Sequence, residues 1–205
     1  AAFTTIDDPS AYFKVQLYAG NGSTQSIAFN DTDTDMQPDL VWIKNRDISI
    51  DHVLVDAVRG ASEILNSNDN SADDTVSGGV TAFDSDGFSV GAESVTNNSS
   101  EDYVAWCWKE SATAGFDIVS YTGDGSQGRN ISHSLSAVPA VMLIKNREGT
   151  TDWRVYHHKN TAAPATDYLE LNTTDATADD DSTWNDTDPT SSVFTVKSST
   201  SVNGS

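Results

Sequence analysis

The chain has 205 residues, with 11 basic and 31 acidic side chains and a formal charge of −20. A surface so poor in Lys and Arg excludes tracking of a phosphate backbone and disfavours anionic membranes, and no apolar run approaches the ~18 residues of a membrane span. Apolar residues make up only 37%, yet 5 Trp, 6 Tyr and 7 Phe are present, and disordered chains lack such aromatics.

In chain order, short runs of Val, Ile, Tyr, Phe, Trp and Thr bounded by Gly, Asn, Asp and Pro predict strands. They fall over 13–18, 26–29, 39–45, 52–56, 63–65, 80–83, 87–90 and 103–109, then over 117–121, 130–134, 140–146, 153–157, 168–171 and 193–197. A short helix is a weak reading of 57–62. Tyr103, Ala105 and Cys107 alternate with Val104, Trp106 and Trp108, so this strand is apolar on both faces and reads as central. Many short strands with frequent turn signals predict an all-β fold of antiparallel β-sandwich type, jelly-roll or lectin-like.

The chain also repeats itself. Ile43-Lys44-Asn45-Arg46 recurs as Ile144-Lys145-Asn146-Arg147, after Pro38 and Pro139 at the same distance. Tyr18-Ala19-Gly20-Asn21-Gly22-Ser23 matches Tyr121-Thr122-Gly123-Asp124-Gly125-Ser126, and Phe88-Ser89-Val90 matches Phe194-Thr195-Val196. Two tandem sandwiches are expected, over 1–110 and 115–205, joined by a small polar linker. The second copy has no counterpart of Tyr103–Lys109 and should lack its last strand. The resulting open edge is a template for another chain, with residues 1–6 of a neighbouring subunit as the expected donor.

No constellation speaks for catalysis. His52, His133, His157 and His158 lack metal-ligand spacing, and no Gly-x-Ser-x-Gly elbow occurs; the chain reads as a non-enzyme without a cofactor. The one cation its loops suggest is calcium, on Asp31, Asp33 and Asp35, because hard cations need several oxygens. Asp84 with Asp86, Asp179–Asp181 and Asp186 with Asp188 are similar groups, and a solvated acidic turn is the competing reading for all of them. Lys44, Arg46, Lys145 and Arg147 are four of only 11 basic residues; they read as ion pairs pinning a strand end, or as contacts to an anionic glycan or a neighbour's acidic loop. Trp153, Tyr156 and Trp184 are the candidates for stacking on a sugar ring or a partner, whereas Trp42, Trp106 and Trp108 read as core. Cys107 is the single cysteine, so no intrachain disulfide can form, and it reads as a buried side chain. The acidic, Asp- and Asn-rich surface points to a saline origin.

Taken together, Phe3-Thr4-Thr5-Ile6-Asp7-Asp8-Pro9-Ser10, Leu17-Tyr18-Ala19-Gly20-Asn21-Gly22-Ser23, Pro38-Asp39-Leu40-Val41-Trp42-Ile43-Lys44-Asn45-Arg46, Asp56-Ala57-Val58-Arg59-Gly60, Phe83-Asp84-Ser85-Asp86-Gly87-Phe88 and Tyr103-Val104-Ala105-Trp106-Cys107-Trp108-Lys109 resemble a domain of structural and tail-associated proteins of marine bacteriophages. The resemblance covers most of the chain, more loosely in the second copy, and brings no catalytic residues. It implies a virion component, extracellular, in the form of a fibre, appendage or decoration protein. The implied partners are further copies of itself, other virion proteins or surface glycans. A secreted bacterial carbohydrate-binding module is the alternative.

Overall fold

Runs of β-branched and aromatic residues cut by Gly, Asn and Asp favour short pleated segments over helices. The computed structural model describes residues 6–205 and is built mainly of such strands in antiparallel sheets. Cα packing divides the chain into two units, one of residues up to 66 with 73–118, the other of 67–72 with 119–205. The expected donor arm over 1–6 falls almost wholly outside the described residues.

The first unit opens with a 3-10 turn, Pro9–Ala11, capped by the Asp8 side chain. It continues through β1 (Phe13–Ala19), β2 (Gln25–Ala28), β3 (Leu40–Asn45), β4 (His52–Asp56), β5 (Glu63–Asn66), β6 (Asp74–Thr75), β7 (Val80–Asp84), β8 (Gly87–Val90), the short helix α1 (Ser94–Asn97) and β9 (Asp102–Trp108). One sheet has the order β1-β9-β3-β4-β5-β6 and the other β2-β8-β7. Both feed one core, with Val41, Ile43, Val53 and Val55 from the larger sheet and Ile27, Phe88 and Val90 from the smaller. The central position read for β9 holds: it pairs with β1 on one edge and β3 on the other, so that Trp106 lies opposite both Val15 and Trp42. Its residues Tyr103, Ala105 and Cys107 are completely buried. Burial pushes the Cys107 thiol far above its ordinary range, and only the thiolate is a nucleophile. Cys107 is therefore expected to ignore an aromatic disulfide reagent in the native state and to react fully in denaturant; rapid native labelling would contradict the burial of β9.

The second unit contains β10 (Arg129–Ser132), β11 (Val141–Ile144), β12 (Arg154–His157), β13 (Asp167–Glu170), β14 (Ala178–Asp179), α2 (Asp181–Trp184), β15 (Val193–Val196) and α3 (Thr200–Asn203). Its sheets are β10-β15 and β11-β12-β13-β14, over a core of Ile131, Ile144, Tyr156, Trp184, Phe194, Val196 and Val202. Two sequence expectations fail. Residues 57–62 form turns, because Gly60 and Ser62 have φ of 111° and 76° and Asp56 takes the Arg59 backbone N–H onto its side chain. Residues 117–121 join no strand ladder.

The two units share a set of bonds that ties a turn to a short helix. Tyr18 donates its hydroxyl to the Thr96 carbonyl at 2.7 Å, and Tyr121 donates to that of Val202 at 2.6 Å. The Asn21 amide N–H donates to the Asn97 side chain, as the Asp124 N–H donates to that of Asn203. Gly22 and Gly125 follow with φ of +68° and +66°, a left-handed conformation that glycine adopts without a Cβ penalty. Their N–H groups donate to the carbonyls of Asn97 and Asn203.

Candidate functional site

Side chains alternate across a strand, so the buried faces of β1, β9 and β3 leave a second face to be accounted for. On β1 that face carries Phe13, Val15 and Leu17, which are 40%, 49% and 57% exposed. The ladder places Phe13 beside Trp108 and Leu40, Val15 beside Trp106 and Trp42, and Leu17 beside Val104 and Lys44. Eight of these nine positions are apolar and none is a carboxylate. The rings form a continuous layer, with Phe13 to Trp108 at 5.0 Å, Trp42 to Trp106 at 6.1 Å and Trp42 to Trp108 at 6.4 Å between centroids. Trp42, Trp106 and Trp108 with Lys44 and His52 line a shallow cleft of about 410 Å³. Burial, with the Lys44 ammonium as a second cause, lowers the His52 pKa from its ordinary value, so its imidazole is neutral at pH 7.

This face reverses the sequence reading of the aromatics. Trp42, Trp106 and Trp108 are half-buried. Trp153, Tyr156 and Trp184, the candidates for stacking, are only 5%, 3% and 1% exposed. Tyr156 and Trp184 meet edge to face within the core of the second unit, and the indole N–H of Trp184 donates to the Asp167 carbonyl. In this arrangement none of the three offers a ring face to a ligand. Trp184 belongs to a short helix in an acidic stretch, a context that reads as exposed loop, yet the helix turns the indole inward.

The acidic residues Asp31, Asp33 and Asp35 do not converge on a cation position. Both Asp31 carboxylate oxygens accept from the Lys14 ammonium at 2.9 Å, and one also accepts from the Asp33 N–H. That hydrogen bond from Lys14 is the main cause holding the Asp31 carboxyl below its usual range. Lys14 is itself buried on the inner face of β1, over the Phe29 ring. Among the described residues no group of three or more His, Cys, Asp or Glu side chains is placed to hold a metal.

The Ile-Lys-Asn-Arg repeats shape turns. The Lys44 ammonium donates to the carbonyls of Asn45 and Ile48, and that of Lys145 to those of Asn146 and Gly149. The Asn45 side chain accepts from the Asp47 N–H and that of Asn146 from the Glu148 N–H. Arg46 reaches the exposed Asp102 at 3.9 Å, a weak surface pair. The motif therefore rigidifies the exit of a strand, chiefly through carbonyls where ion pairs were expected.

A family described as a domain of unknown function (DUF7483) matches residues 8–205. No curated protein and no solved structure matches the chain.

Proposed function

The chain belongs to the DUF7483 family, and we propose that it is a non-catalytic structural module, two tandem β-sandwiches that assemble with further copies through the open face of β1, β9 and β3. The observation that carries this reading is the exposure of Phe13, Val15 and Leu17 beside three indoles. Contiguous apolar patches of this kind mark protein contacts more than isolated surface residues do. Charge supports a second copy as the partner. A chain of net charge −20 repels itself, and the acid-free rows of this face are where two copies can meet without burying carboxylates. The resemblance to bacteriophage structural proteins supports a place on a virion, outside the cell, as a fibre, appendage or decoration protein. Neither nucleic acid, membrane nor resident metal is part of this proposal.

A second reading rests on the cleft. Indole rings flanked by a cation and an imidazole suit a pyranose, whose C–H face stacks on an aromatic ring. Sedimentation over a range of protein concentration and salt separates the two. The expected result is a multimer that Val15→Asp converts to a monomer with its thermal transitions retained. A wild-type protein that stays monomeric at every concentration and binds glycans, with binding lost in Trp106→Ala, would replace the assembly reading with the carbohydrate one.

A further inference from the structure

β1 is an edge of the larger sheet in the first unit. β9 pairs with it on one side, and among the described residues no strand lies on the other. The bonds at its two ends fix which backbone groups point which way. Lys109 donates its N–H to the Tyr12 carbonyl and Gly20 donates to the Glu101 carbonyl, both at 2.8 Å, and the register between them runs without a break. Bonded residues alternate along an antiparallel ladder. The even-numbered residues of β1 therefore bond to β9, and Phe13, Val15, Leu17 and Ala19 aim their N–H and C=O groups away from it. Side-chain amides already reach two of those outward carbonyls: Gln16 donates to Leu17 at 2.9 Å and Gln25 to Ala19 at 3.1 Å.

Exposed strand edges are usually guarded by shortness, charge or a bulge. The other edges of the first unit follow that rule. β6 is two residues long and one of them is Asp74. β7 ends at Asp84 and has a break in register between Val80 and Ala82. β2 has four residues. β1 has seven, in unbroken register, with no proline and no carboxylate. Its one charge, on Lys14, is buried on the inner face and neutralised by Asp31 at 2.9 Å, with Asp86 at 3.9 Å. Its outer side chains Phe13, Val15 and Leu17 are the exposed apolar row of the assembly face.

We propose that β1 pairs antiparallel with β1 of a second copy across a two-fold axis through Gln16, joining two six-stranded sheets into one. Centring on Gln16 matches all seven residues of the strand. Phe13 faces Ala19 of the second copy, Val15 faces Leu17, Lys14 faces Tyr18, and Gln16 faces itself. The outward N–H and C=O groups of Phe13, Val15, Leu17 and Ala19 then bond pairwise, and the Gln16 amide gives up the Leu17 carbonyl. Main-chain hydrogen bonds along an edge supply the affinity of such a contact. A second copy is the occupant because this edge needs a strand that is itself unguarded and free of carboxylates. In a chain of net charge −20, β1 is such a strand. The contact is isologous and closes at a dimer. It rests on the reading that copies of the chain associate, and it adds a second contact to the outer face. The apolar rows run on from one copy into the next, so the pair presents a face of double width to further copies.

The test uses the intact chain. The Val15 and Leu17 amides are expected to resist hydrogen exchange at high protein concentration and to exchange freely on dilution to monomer, while the Gln16 and Tyr18 amides stay protected in both. Gln16→Cys is expected to give a disulfide-linked dimer on mild oxidation, with Cys107 buried and out of reach. Facing residues of a non-hydrogen-bonded pair stand about 4.5 Å apart, within the roughly 4.4–6.8 Å that a disulfide spans between Cα atoms. Leu17→Cys should stay unlinked, because it faces Val15 of the second copy and not itself. Val15→Pro removes one outward N–H per copy and leaves the β9 ladder intact, as proline at a strand edge does. It should raise the dissociation constant of the dimer by roughly tenfold or more. A multimer in which Leu17→Cys links and Gln16→Cys does not, with the Val15 and Leu17 amides exchanging as in the monomer, would overturn edge pairing and leave assembly through the outer face standing. A chain that stays monomeric at every concentration would overturn both. Val15 and Leu17 amides already protected in the monomer would also overturn the proposal, because the chain would then cover its own edge.

Discussion

Replacing Gly123 by Ala is expected to unfold the second unit and leave the first unit's transition in place, while Gly20→Ala does the reverse. A Cβ at Gly123 would stand 1.8 Å from the Gly204 carbonyl oxygen and 2.9 Å from the Asn203 carbonyl carbon; at Gly20 it would stand 2.0 Å from the Asn98 carbonyl oxygen. These neighbours are backbone held by a helix end, so no rotamer change relieves the overlap. Ordinary overpacking costs about 1–3 kcal/mol, and here the chain must move by more than an extra methyl normally demands. In the first unit the displacement also reaches β9, because Gly20 receives Ser100 and donates to Glu101 just before that strand. Calorimetry resolves the outcome by which transition disappears. Wild-type melting of Gly123→Ala would mean that the turn at Asp124 and the helix α3 are not packed as described.

How far the sequence discloses the fold depends on the local signal. β4 and β8 are legible to the residue, because alternating Val, Leu and Phe are bounded by Asp and Gly. β6 and β14 are two residues each, Asp74–Thr75 and Ala178–Asp179, and carry no apolar pattern; they exist only because a neighbouring strand offers an edge. The helices α1, α2 and α3 span four residues each, too short to show a helical period. The candidate site was missed for a different reason. Trp106 and Trp108 sit on a strand that is apolar on both faces, and periodicity reports that a face wants cover without saying what covers it. Inside one chain the cover is a second layer; on β1, β9 and β3 the outer face is only partly covered, with Phe116 stacked on Trp108 and Leu17 57% exposed. Sequence could have located this face through Phe13, Val15 and Leu17, which alternate with Lys14 and Gln16 on β1. Taken as two-sided in the way β9 was, that strand would have pointed to the same surface.

Asn97→Ala is expected to destabilise the first unit by about 3 kcal/mol or more, and Asn203→Ala the second by about 1–2 kcal/mol. Asn97 is completely buried. Its side-chain oxygen accepts from the Asn21 N–H at 2.9 Å and from Gln25 at 2.7 Å, and its amide donates to the carbonyls of Ser23 and Gly91, both at 2.6 Å. Alanine leaves the turn's donor and two carbonyls unsatisfied at once, and a buried polar group without a partner costs about 1–3 kcal/mol. Asn203 makes longer bonds, 3.1 Å from the Asp124 N–H, 3.1 Å to the Asp124 carboxylate and 3.3 Å to the Ser126 carbonyl, so less is lost there. Asn97→Asp sharpens the test. A carboxylate keeps the Asn21 bond but faces the Ser23 and Gly91 carbonyls, so the charged form is disfavoured and its folded-state pKa lies above the unfolded one. Stability is therefore highest below the unfolded carboxyl pKa, where a protonated oxygen can donate to one carbonyl, and it is lost as pH rises through the folded pKa. Urea titrations at about pH 4 and about pH 7 should show Asn97→Asp closing part of its gap to wild type only at the lower pH. A pH-independent gap, or wild-type stability for Asn97→Ala, would mean that the Asn97 bonds do not hold the turn to the helix.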